Sequence, residues 1–258
     1  MRQTFFAILL INCIPFMSHI LHAQSSLIII GHRGAMGYEV ENSISSINKA
    51  IELGVKMIEI DVFKCQSGEI VVFHDDHLNR LANKDALIED LTLGEINELR
   101  LSNGEKIPTL KEVMERTNGV VALNIELKGK NTAVGVHELI DYYIGENKIQ
   151  LTDILISSFH WEELSIMRNL SPTIKIGVLT QISPVKSIVF AEEVAAFSIH
   201  PRYNSLNKNK VQKIHEAGFY VYAYTVNLIE DIEKMMAIGV DGIFTNYPDI
   251  AQKTTLGN

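Results

Sequence analysis

The stretch Leu27-Ile28-Ile29-Ile30-Gly31-His32-Arg33 places a basic pair directly after an apolar run. A run of this kind predicts a short strand that is buried in a sheet. The pair suits the core poorly, because an unpaired charge is costly to remove from water. At the carboxyl end of the strand, the same two side chains are well placed to form part of a site.

Three other apolar runs also end in charged or titratable residues. These clusters are Glu59-Ile60-Asp61, His74-Asp75 and Glu126-Leu127-Lys128. In a parallel barrel, the side chains at the carboxyl ends of the strands meet on one face. The four clusters together predict a single active site that handles phosphate with the help of a metal ion.

The chain alternates short β-branched runs with amphipathic segments. The predicted strands are 27–31, 57–62, 121–127, 154–157, 174–178, 194–199, 220–225 and 242–244, and the predicted helices are 43–53, 110–117, 132–144, 161–169, 184–190, 208–217 and 229–237. This order predicts an α/β protein, a TIM (β/α)8 barrel. A doubly wound sheet is the alternative, but Gly31-His32-Arg33-Gly34 is not the Gly-rich loop that usually follows its first strand.

One connection is much longer than a usual loop between a strand and a helix. About thirty-five residues separate His74 from Leu110. We therefore predict a small insertion after the second strand, at about 75–109, with a short helix within 91–99. The insertion leaves the barrel on the catalytic side and is placed to shape the substrate mouth.

The N-terminal segment has the form of a secretory signal peptide. Arg2 precedes an apolar stretch at 5–17, and Ala23 offers a small residue for cleavage. We predict a signal peptide at 1–23, a mature barrel domain at 24–258, and export to the periplasm or the extracellular space. An uncleaved membrane tether is the alternative, and no stable membrane span is expected after the signal is removed.

Composition narrows the range of partners. The chain has 258 residues and a formal net charge of −8 without long runs of one sign. Nucleic acid is not an expected partner, because binding to a phosphate backbone needs a basic face. The sequence does not indicate an oligomeric state.

Three acidic residues form a candidate metal site. Glu59 and Asp61 are two apart, a spacing that points both side chains the same way on a strand. Glu126 ends the next predicted strand and supplies a third carboxylate. Hard oxygen ligands favour one divalent cation such as Ca²⁺ or Mg²⁺, with Mn²⁺ also suitable, over zinc. The alternative is an ordinary solvated strand end.

Basic residues beside these carboxylates complete the predicted site. His32 and His74 suit general acid and general base work near neutral pH. Arg33 offers a planar fork for phosphate, with a salt bridge to Glu41 as the structural alternative. Lys128 lies two residues after Glu126 and could contact phosphate or simply pair with that carboxylate.

The ordered set of motifs resembles the glycerophosphodiester phosphodiesterase family. It consists of Gly31-His32-Arg33-Gly34, Glu41-Asn42-Ser43, Glu59-Ile60-Asp61-Val62, Val72-Phe73-His74-Asp75 with Leu78 and Arg80, Ile107-Pro108-Thr109-Leu110, Ile125-Glu126-Leu127-Lys128, Ser157-Ser158-Phe159, Thr225-Val226-Asn227 and Asp241-Gly242-Ile243-Phe244-Thr245-Asn246-Tyr247-Pro248-Asp249. Three positions depart from the usual family pattern, namely Val40, His160 and Tyr224. None of them is a predicted catalytic position.

The resemblance implies hydrolysis of glycerophosphodiesters to glycerol 3-phosphate and an alcohol by a TIM barrel. By the same resemblance, the acid–base pair is His32 and His74, the cation ligands are Glu59, Asp61 and Glu126, the phosphate contacts are Arg33 and Lys128, and Glu41 supports the site. Two alternatives stay open. One is a lysophospholipase D or phosphoinositide-type phosphodiesterase that acts on lipids, and the other is a catalytically inactive binding module.

Overall fold

The computed structural model of the protein describes residues 27–256. The strands in this range are β1 (Ile28–Gly31), β2 (Met57–Lys64), β3 (Ile70–Val72), β4 (Ala122–Leu127), β5 (Ile154–Ser158), β6 (Lys175–Thr180), β7 (Ser198–Pro201), β8 (Tyr220–Ala223) and β9 (Gly242–Thr245). The α-helices are α1 (Ile44–Glu52), α2 (Asn79–Ala82), α3 (Leu93–Glu98), α4 (Leu110–Thr117), α5 (Thr132–Gly145), α6 (Trp161–Leu170), α7 (Ser187–Glu193), α8 (Lys208–Glu216), α9 (Ile229–Ala237) and α10 (Pro248–Leu256).

All these strands except β3 form a closed parallel barrel. Strand β1 pairs in parallel with both β2 and β9, so that Ile30 is the partner of Met57 on one side and of Phe244 on the other. The remaining strands follow in the order β9-β8-β7-β6-β5-β4-β2. The predicted TIM barrel is confirmed, and closure excludes the doubly wound sheet.

The predicted strands agree with the structure to within two residues at each end, with two exceptions. Strand β3, which is only three residues long, was not among the predicted strands, and it pairs antiparallel with the last residues of β2, so that Val62 faces Val72. Strand β7 begins at Ser198 rather than at 194, because α7 extends to Glu193 and the chain then turns through Ala195 in a left-handed conformation with φ of 44°.

The helix predicted at 184–190 is shifted by three residues to Ser187–Glu193, and the other predicted helices begin and end within one residue of those in the structure. The Ser43 hydroxyl accepts a hydrogen bond from the Ser46 amide and begins α1. Gly54 and Gly218 follow their helices with φ of 72° and 92°, a conformation that favours glycine. The insertion helix predicted within 91–99 is α3, and Thr92 and Glu95 form a capping box at its start.

The core has three parts. The largest cluster lies between the barrel and its surrounding helices and includes Ile29. Inside the barrel, Ile30, Leu155, Tyr222 and Phe244 pack together from four different strands. The insertion has its own core, which we call the insertion core, made by Phe63, Cys65, Val71, Phe73, Leu78, Ala82, Ile88, Ile96, Leu101 and Ile107.

Among the helices of residues 27–256, none is long and apolar enough to cross a membrane. The predicted signal peptide at 1–23 lies outside the described residues.

Candidate active site

The inward-facing side chains of the barrel lead directly to the predicted site. Ile30 faces the barrel interior, and His32 lies two residues further along the same chain. Met57 packs against the same interior cluster, and Glu59 and Asp61 continue its side of β2 toward the carboxyl end. Side chains two residues apart on a strand point the same way. The inward-facing positions are therefore apolar at the bottom of the barrel and charged at its mouth.

The three predicted metal ligands converge. One ligand oxygen from each of Glu59, Asp61 and Glu126 lies within 4.8 Å of the other two. Asp61 and Glu126 are direct partners in the pairing of β2 with β4. Glu59 is only 2% exposed and Asp61 only 1%, whereas the Glu126 side chain is 12% exposed.

The positive side chains of the protein do not fully offset the negative charge of these three carboxylates. Burial, reinforced by Asp61 and Glu126, raises the pKa of Glu59 well above its ordinary value. Burial and the charge of Asp61 raise the pKa of Glu126 to about 7, although Lys128 opposes the shift. Within residues 27–256, the buried Oε1 atom of Glu59 has no hydrogen-bond partner. A set of buried oxygens with an unfilled acceptor fits a hard divalent cation.

Asn42 holds Asp61 in place. Its amide Nδ2 donates to Asp61 Oδ2 at 2.9 Å, and its Oδ1 accepts from the Asp61 backbone amide at 3.2 Å. The Asn42 backbone is left-handed, with φ of 58°, a conformation that asparagine adopts more readily than most residues. In the sequence, Asn42 was noted only as part of the Glu41-Asn42-Ser43 motif, because local pattern does not show a contact with a residue 19 positions away.

Arg33 contacts two of the three predicted metal ligands and also Glu41. Its backbone amide donates to Glu59 Oε2 at 2.8 Å, and its Nη1 donates to Glu41 Oε1 at 2.7 Å. Its Nε lies 3.2 Å from Asp61 Oδ2. The salt bridge to Glu41 is therefore present, and phosphate binding by Arg33 stays a prediction.

Lys128 lies between the carboxylates and one of the histidines. Its ammonium nitrogen is 3.1 Å from Glu126 Oε1 and 3.9 Å from Asp61 Oδ1. It is also 3.3 Å from His74 Nε2. The expected pairing with Glu126 is present, and the same ammonium group faces the candidate acid–base residue.

His32 is held as a neutral ring by the barrel. Its Nδ1 lies 2.7 Å from Asn246 Oδ1, so with the amide in this orientation Nδ1–H donates and Nε2 keeps its lone pair. Burial and the charge of Arg33 lower the pKa of His32 to about 4. The charges of Asp61 and His74 act on the same ring, which shows that the two halves of the site are within electrostatic reach of each other.

His74 is held from the insertion side. Its Nδ1 lies 2.6 Å from Asp75 Oδ1, which directs Nε2 toward Lys128. The side chain is 28% exposed. Arg80 donates to the other oxygen of Asp75 and to Glu41, and neither Asp75 nor Arg80 was assigned a role from the sequence. Their position in the His74-Asp75 and Leu78-x-Arg80 motif was the available signal.

A polar groove of about 670 Å³ opens next to His74 and Lys128. One wall is formed by the insertion, including Arg80 and Glu89, and the other by residues that follow β4 and β5, including His160. His74 and Lys128 therefore line a space that is large enough for a small organic group.

The glycerophosphoryl diester phosphodiesterase family matches this chain over residues 32–250. This chain belongs to that family. The match begins at His32 and covers all eight predicted site residues. The resemblance inferred from the sequence is confirmed, and the protein is a phosphoric diester hydrolase as predicted.

Individual relatives agree with this family membership. The chain is 35% identical over 231 residues to a glycerophosphodiester phosphodiesterase of Caldanaerobacter subterraneus, with 86% of this chain and 95% of the relative covered. It is 31% identical over 237 residues to a glycerophosphodiester phosphodiesterase of Bacillus altitudinis, with 87% and 96% covered. A solved structure of an Oleispira antarctica phosphodiesterase in complex with the product sn-glycerol-3-phosphate superposes with a TM-score of 0.81 at 29% identity, covering 88% of this chain and 95% of that one.

Proposed function

We propose that this protein hydrolyses glycerophosphodiesters to glycerol 3-phosphate and an alcohol, with one divalent cation and with His32 and His74 as the acid–base pair. The observation that carries the proposal is the convergence of three buried or nearly buried carboxylate groups at the mouth of the barrel. Cationic side chains and two oriented imidazoles surround them. The product bound to the Oleispira antarctica phosphodiesterase is consistent with this assignment.

Glu59, Asp61 and Glu126 would hold the cation, which we expect to be Ca²⁺ or Mg²⁺, with Mn²⁺ also suitable for such ligands. When bound, the cation supplies positive charge that polarises the phosphoryl oxygens. Asn42 keeps Asp61 in position, and the Arg33 amide does the same for Glu59. Asp61 and Glu59 are thus each oriented by a neighbour, as metal ligands in proteins commonly are.

Arg33 and Lys128 would bind the non-bridging phosphoryl oxygens. Both cations lie next to the carboxylate cluster, and each is partly enclosed, with side chains 14% and 19% exposed. Positive groups that are already in place offset the charge that develops on the phosphoryl group in the transition state.

The two imidazoles would move the protons. His32 is neutral and keeps the lone pair on Nε2, so we assign it as the base that takes a proton from the nucleophile. Asp75 offsets the charge that the His74 ring carries when Nε2 is protonated, so we assign His74 as the acid that protonates the leaving oxygen. Water as the nucleophile forms the new P–O bond while the bond to the alcohol breaks, which gives glycerol 3-phosphate directly. The glycerol 2-hydroxyl as the nucleophile would displace the alcohol to give a cyclic phosphate, and water would then break the P–O2 bond of the ring to give the same product.

The alcohol half of the diester would lie in the groove beside His74. This groove is lined largely by charged and polar side chains. It therefore fits a small polar head group that leaves next to the proton donor.

The same proposal includes export of the protein through a signal peptide at residues 1–23. Its support is the charged, apolar and small-residue order of that segment. N-terminal sequencing of the protein recovered outside the cytoplasm tests it, and a mature chain that begins at Met1 would contradict it.

One assay tests the proposed function. Purified protein is incubated with glycerophosphocholine, glycerophosphoethanolamine, glycerophosphoglycerol and glycerophosphoinositol, first with EDTA and then with Ca²⁺, Mg²⁺ or Mn²⁺ added back. We expect glycerol 3-phosphate only when metal is present, and none from Asp61→Asn. Activity that survives exhaustive chelation contradicts the metal requirement.

The same assay separates the alternatives. A long-chain lysolipid that turns over faster than every glycerophosphodiester would favour the lipid-cleaving phosphodiesterase. Tight binding of a glycerophosphodiester without product would favour the inactive binding module. Transient release of a cyclic glycerol phosphate would identify the 2-hydroxyl as the nucleophile.

A further inference from the structure

We propose that Arg80, a residue of the insertion, is a positioning residue that fixes His74 and Arg33 at the same time. The inference rests on the proposed function of those two residues. It is carried by the hydrogen bonds of a single guanidinium group, which reaches two carboxylates that each hold one member of the site. The insertion would then be part of the catalytic apparatus as well as a wall of the substrate groove.

The first contact of Arg80 is with Glu41. Its Nη1 donates to Glu41 Oε2 at 2.8 Å, and its Nη2 donates to Glu41 Oε1 at 2.6 Å. This is a two-pronged pairing in which the planes of both groups are fixed. Glu41 Oε1 also accepts the hydrogen bond from Arg33 Nη1, so the orientation of Glu41 determines where the Arg33 guanidinium lies.

The second contact of Arg80 is with Asp75. Its Nε donates to Asp75 Oδ2 at 2.6 Å, while Asp75 Oδ1 accepts from His74 Nδ1 at the same distance. Each oxygen of Asp75 therefore has one partner, and the carboxylate is held between Arg80 and His74. This fixes the His74 ring with Nε2 directed toward Lys128.

The role requires arginine rather than any cation. Three nitrogens of one planar group serve two carboxylates in fixed directions, and a lysine ammonium cannot reproduce that fork. Arg80 lies on the four-residue helix α2, whose preceding residue Leu78 is fully buried in the insertion core. The Leu78 amide also donates to the Ala86 carbonyl at 3.0 Å. Packing of the insertion thus sets where the guanidinium lies.

The test begins with Arg80→Ala, Arg80→Gln and Arg80→Lys. Residues that orient a functional group from behind typically contribute about 10–100-fold, so we expect Arg80→Ala to lower kcat/KM by about that factor, mostly in kcat. Arg80→Lys should recover only part of the loss. Arg100→Ala is the matched control, because Arg100 is in the same insertion and, within residues 27–256, donates only to the backbone carbonyls of Asn97 and Leu99.

Two further measurements separate positioning from a merely structural role. In a double-mutant cycle, adding Asp75→Asn to Arg80→Ala should cost much less than Asp75→Asn costs alone, because both changes remove the same support from His74. The Arg80 side chain is 47% exposed, so added guanidinium ion can reach the gap left by Arg80→Ala. We expect millimolar guanidinium to restore activity relative to the same concentration of sodium chloride.

The outcomes distinguish this inference from the proposed function. If the wild-type protein cleaves glycerophosphodiesters but folded Arg80→Ala keeps wild-type kcat, only the inference fails. Additive losses in the double-mutant cycle, together with no rescue by guanidinium, would also overturn it. If the wild-type protein itself shows no turnover, the proposed function fails first. Should Arg80→Ala not fold, the same cycle and kinetics with Arg80→Gln and Arg80→Lys decide the question.

Discussion

The two candidate acid–base histidines are held by different parts of the molecule. His32 is partly buried at the barrel mouth and bonded to the Asn246 side chain, and the backbone amide of Asn246 donates in turn to Asn227 Oδ1. His74 is 28% exposed and is held through Asp75 by Arg80 of the insertion. The barrel supplies one imidazole with a low pKa in a rigid, enclosed position, and the insertion supplies the other in a more open one.

The site therefore depends on two separately packed cores. The three carboxylates belong to β2 and β4 of the barrel, so the candidate cation site and His32 both depend on the barrel. His74 and Arg80 follow β3 and depend on the insertion core. A change that loosens one core should affect one half of the chemistry before it affects the other.

The largest expected effect comes from the histidines themselves. His32→Ala and His74→Ala should each lower turnover by about 10²–10⁴-fold, the usual contribution of a proton-transfer group. A glycerol phosphodiester with a nitrophenyl leaving group distinguishes the two roles, because that group leaves without protonation. On this substrate the loss in His74→Ala should shrink, and the loss in His32→Ala should remain. His137→Gln on α5 serves as the control.

The opposite assignment, with His32 as the acid and His74 as the base, predicts a different result. In that case, His32→Ala rather than His74→Ala would be rescued by the activated leaving group. Near-normal turnover of either alanine variant with glycerophosphocholine would remove that ring from the acid–base pair altogether.

A matched pair of core variants tests the separation of the two halves. Leu78 and Leu164 are both fully buried: Leu78 lies in the insertion core, and Leu164, on α6, lies in the main core, the large cluster between the barrel and its helices. Leucine-to-alanine changes at such positions cost about 2–5 kcal/mol. We expect Leu164→Ala to lower the free energy of global unfolding while folded protein keeps its kcat. Leu78→Ala should lower kcat as Arg80→Ala does, with a smaller effect on global unfolding.

Urea unfolding and steady-state kinetics on the same samples provide the measurement. Equal effects of the two changes on kcat would show that the insertion core and the main core act as one unit. That result would contradict the division drawn between the two histidines.

Metal binding should stabilise the barrel half in a pH-dependent way. The pKa of Glu126 in the metal-free protein is about 7, above its ordinary value of 4.5, so its protonated form favours the folded state. That stability is present below pH 4.5 and is lost as the pH rises through 7. A cation needs the deprotonated carboxylates, so its stabilising effect should grow over the same range, reaching about 2.7 kcal/mol at 100 times Kd.

Thermal unfolding with and without Ca²⁺ or Mg²⁺, from pH 5 to 8, checks this expectation. Glu126→Gln should remove most of the stabilisation that the added cation gives, whereas Glu192→Gln, an exposed change on α7, should keep that stabilisation. An increment of the same size at pH 5 and pH 8 would show that Glu126 does not bind the cation.

Much of the barrel and of the site could be predicted because both follow from local pattern. Buried parallel strands are continuous apolar runs, and a spacing of two residues keeps Glu59 and Asp61 on one side of β2. The same spacing of two residues relates Ile30, inside the barrel, to His32 at its mouth. These features need no knowledge of which distant residues meet.

The supporting contacts could not be predicted in this way. Arg80 meets Glu41 across 39 positions of sequence, and Asn42 meets Asp61 across 19 through a left-handed backbone. Strand β3 is too short to give a periodic signal, and its backbone partners are the last residues of β2 and the distant residues Pro108 and Thr109. Each of these contacts joins residues that are far apart in the sequence. The periodicity of the sequence does not show which distant residues meet.

The smallest expected effect concerns a buried histidine inside the barrel. His200 on β7 is fully buried, its Nε2 lies 2.7 Å from Ser198 Oγ, and its ring stacks on Tyr222 at 5.4 Å between centroids. Burial lowers the pKa of His200 to about 3 from an ordinary 6.5. The neutral ring therefore favours the folded state above pH 6.5, and this stability is lost as the pH falls from there through about 3.

His200→Gln should reduce the acid sensitivity of the barrel without changing its chemistry. Each proton taken up on unfolding contributes at most about 1.4 kcal/mol per pH unit, so the slope of unfolding free energy between pH 6.5 and 4 should fall by up to that amount. Urea unfolding at three pH values measures the slope, and His77→Gln, an exposed change in the insertion, is the control. Because the pKa of His32 is also lowered, to about 4, a residual slope should persist in His200→Gln. An unchanged slope in His200→Gln would show that this barrel imidazole does not contribute to acid unfolding.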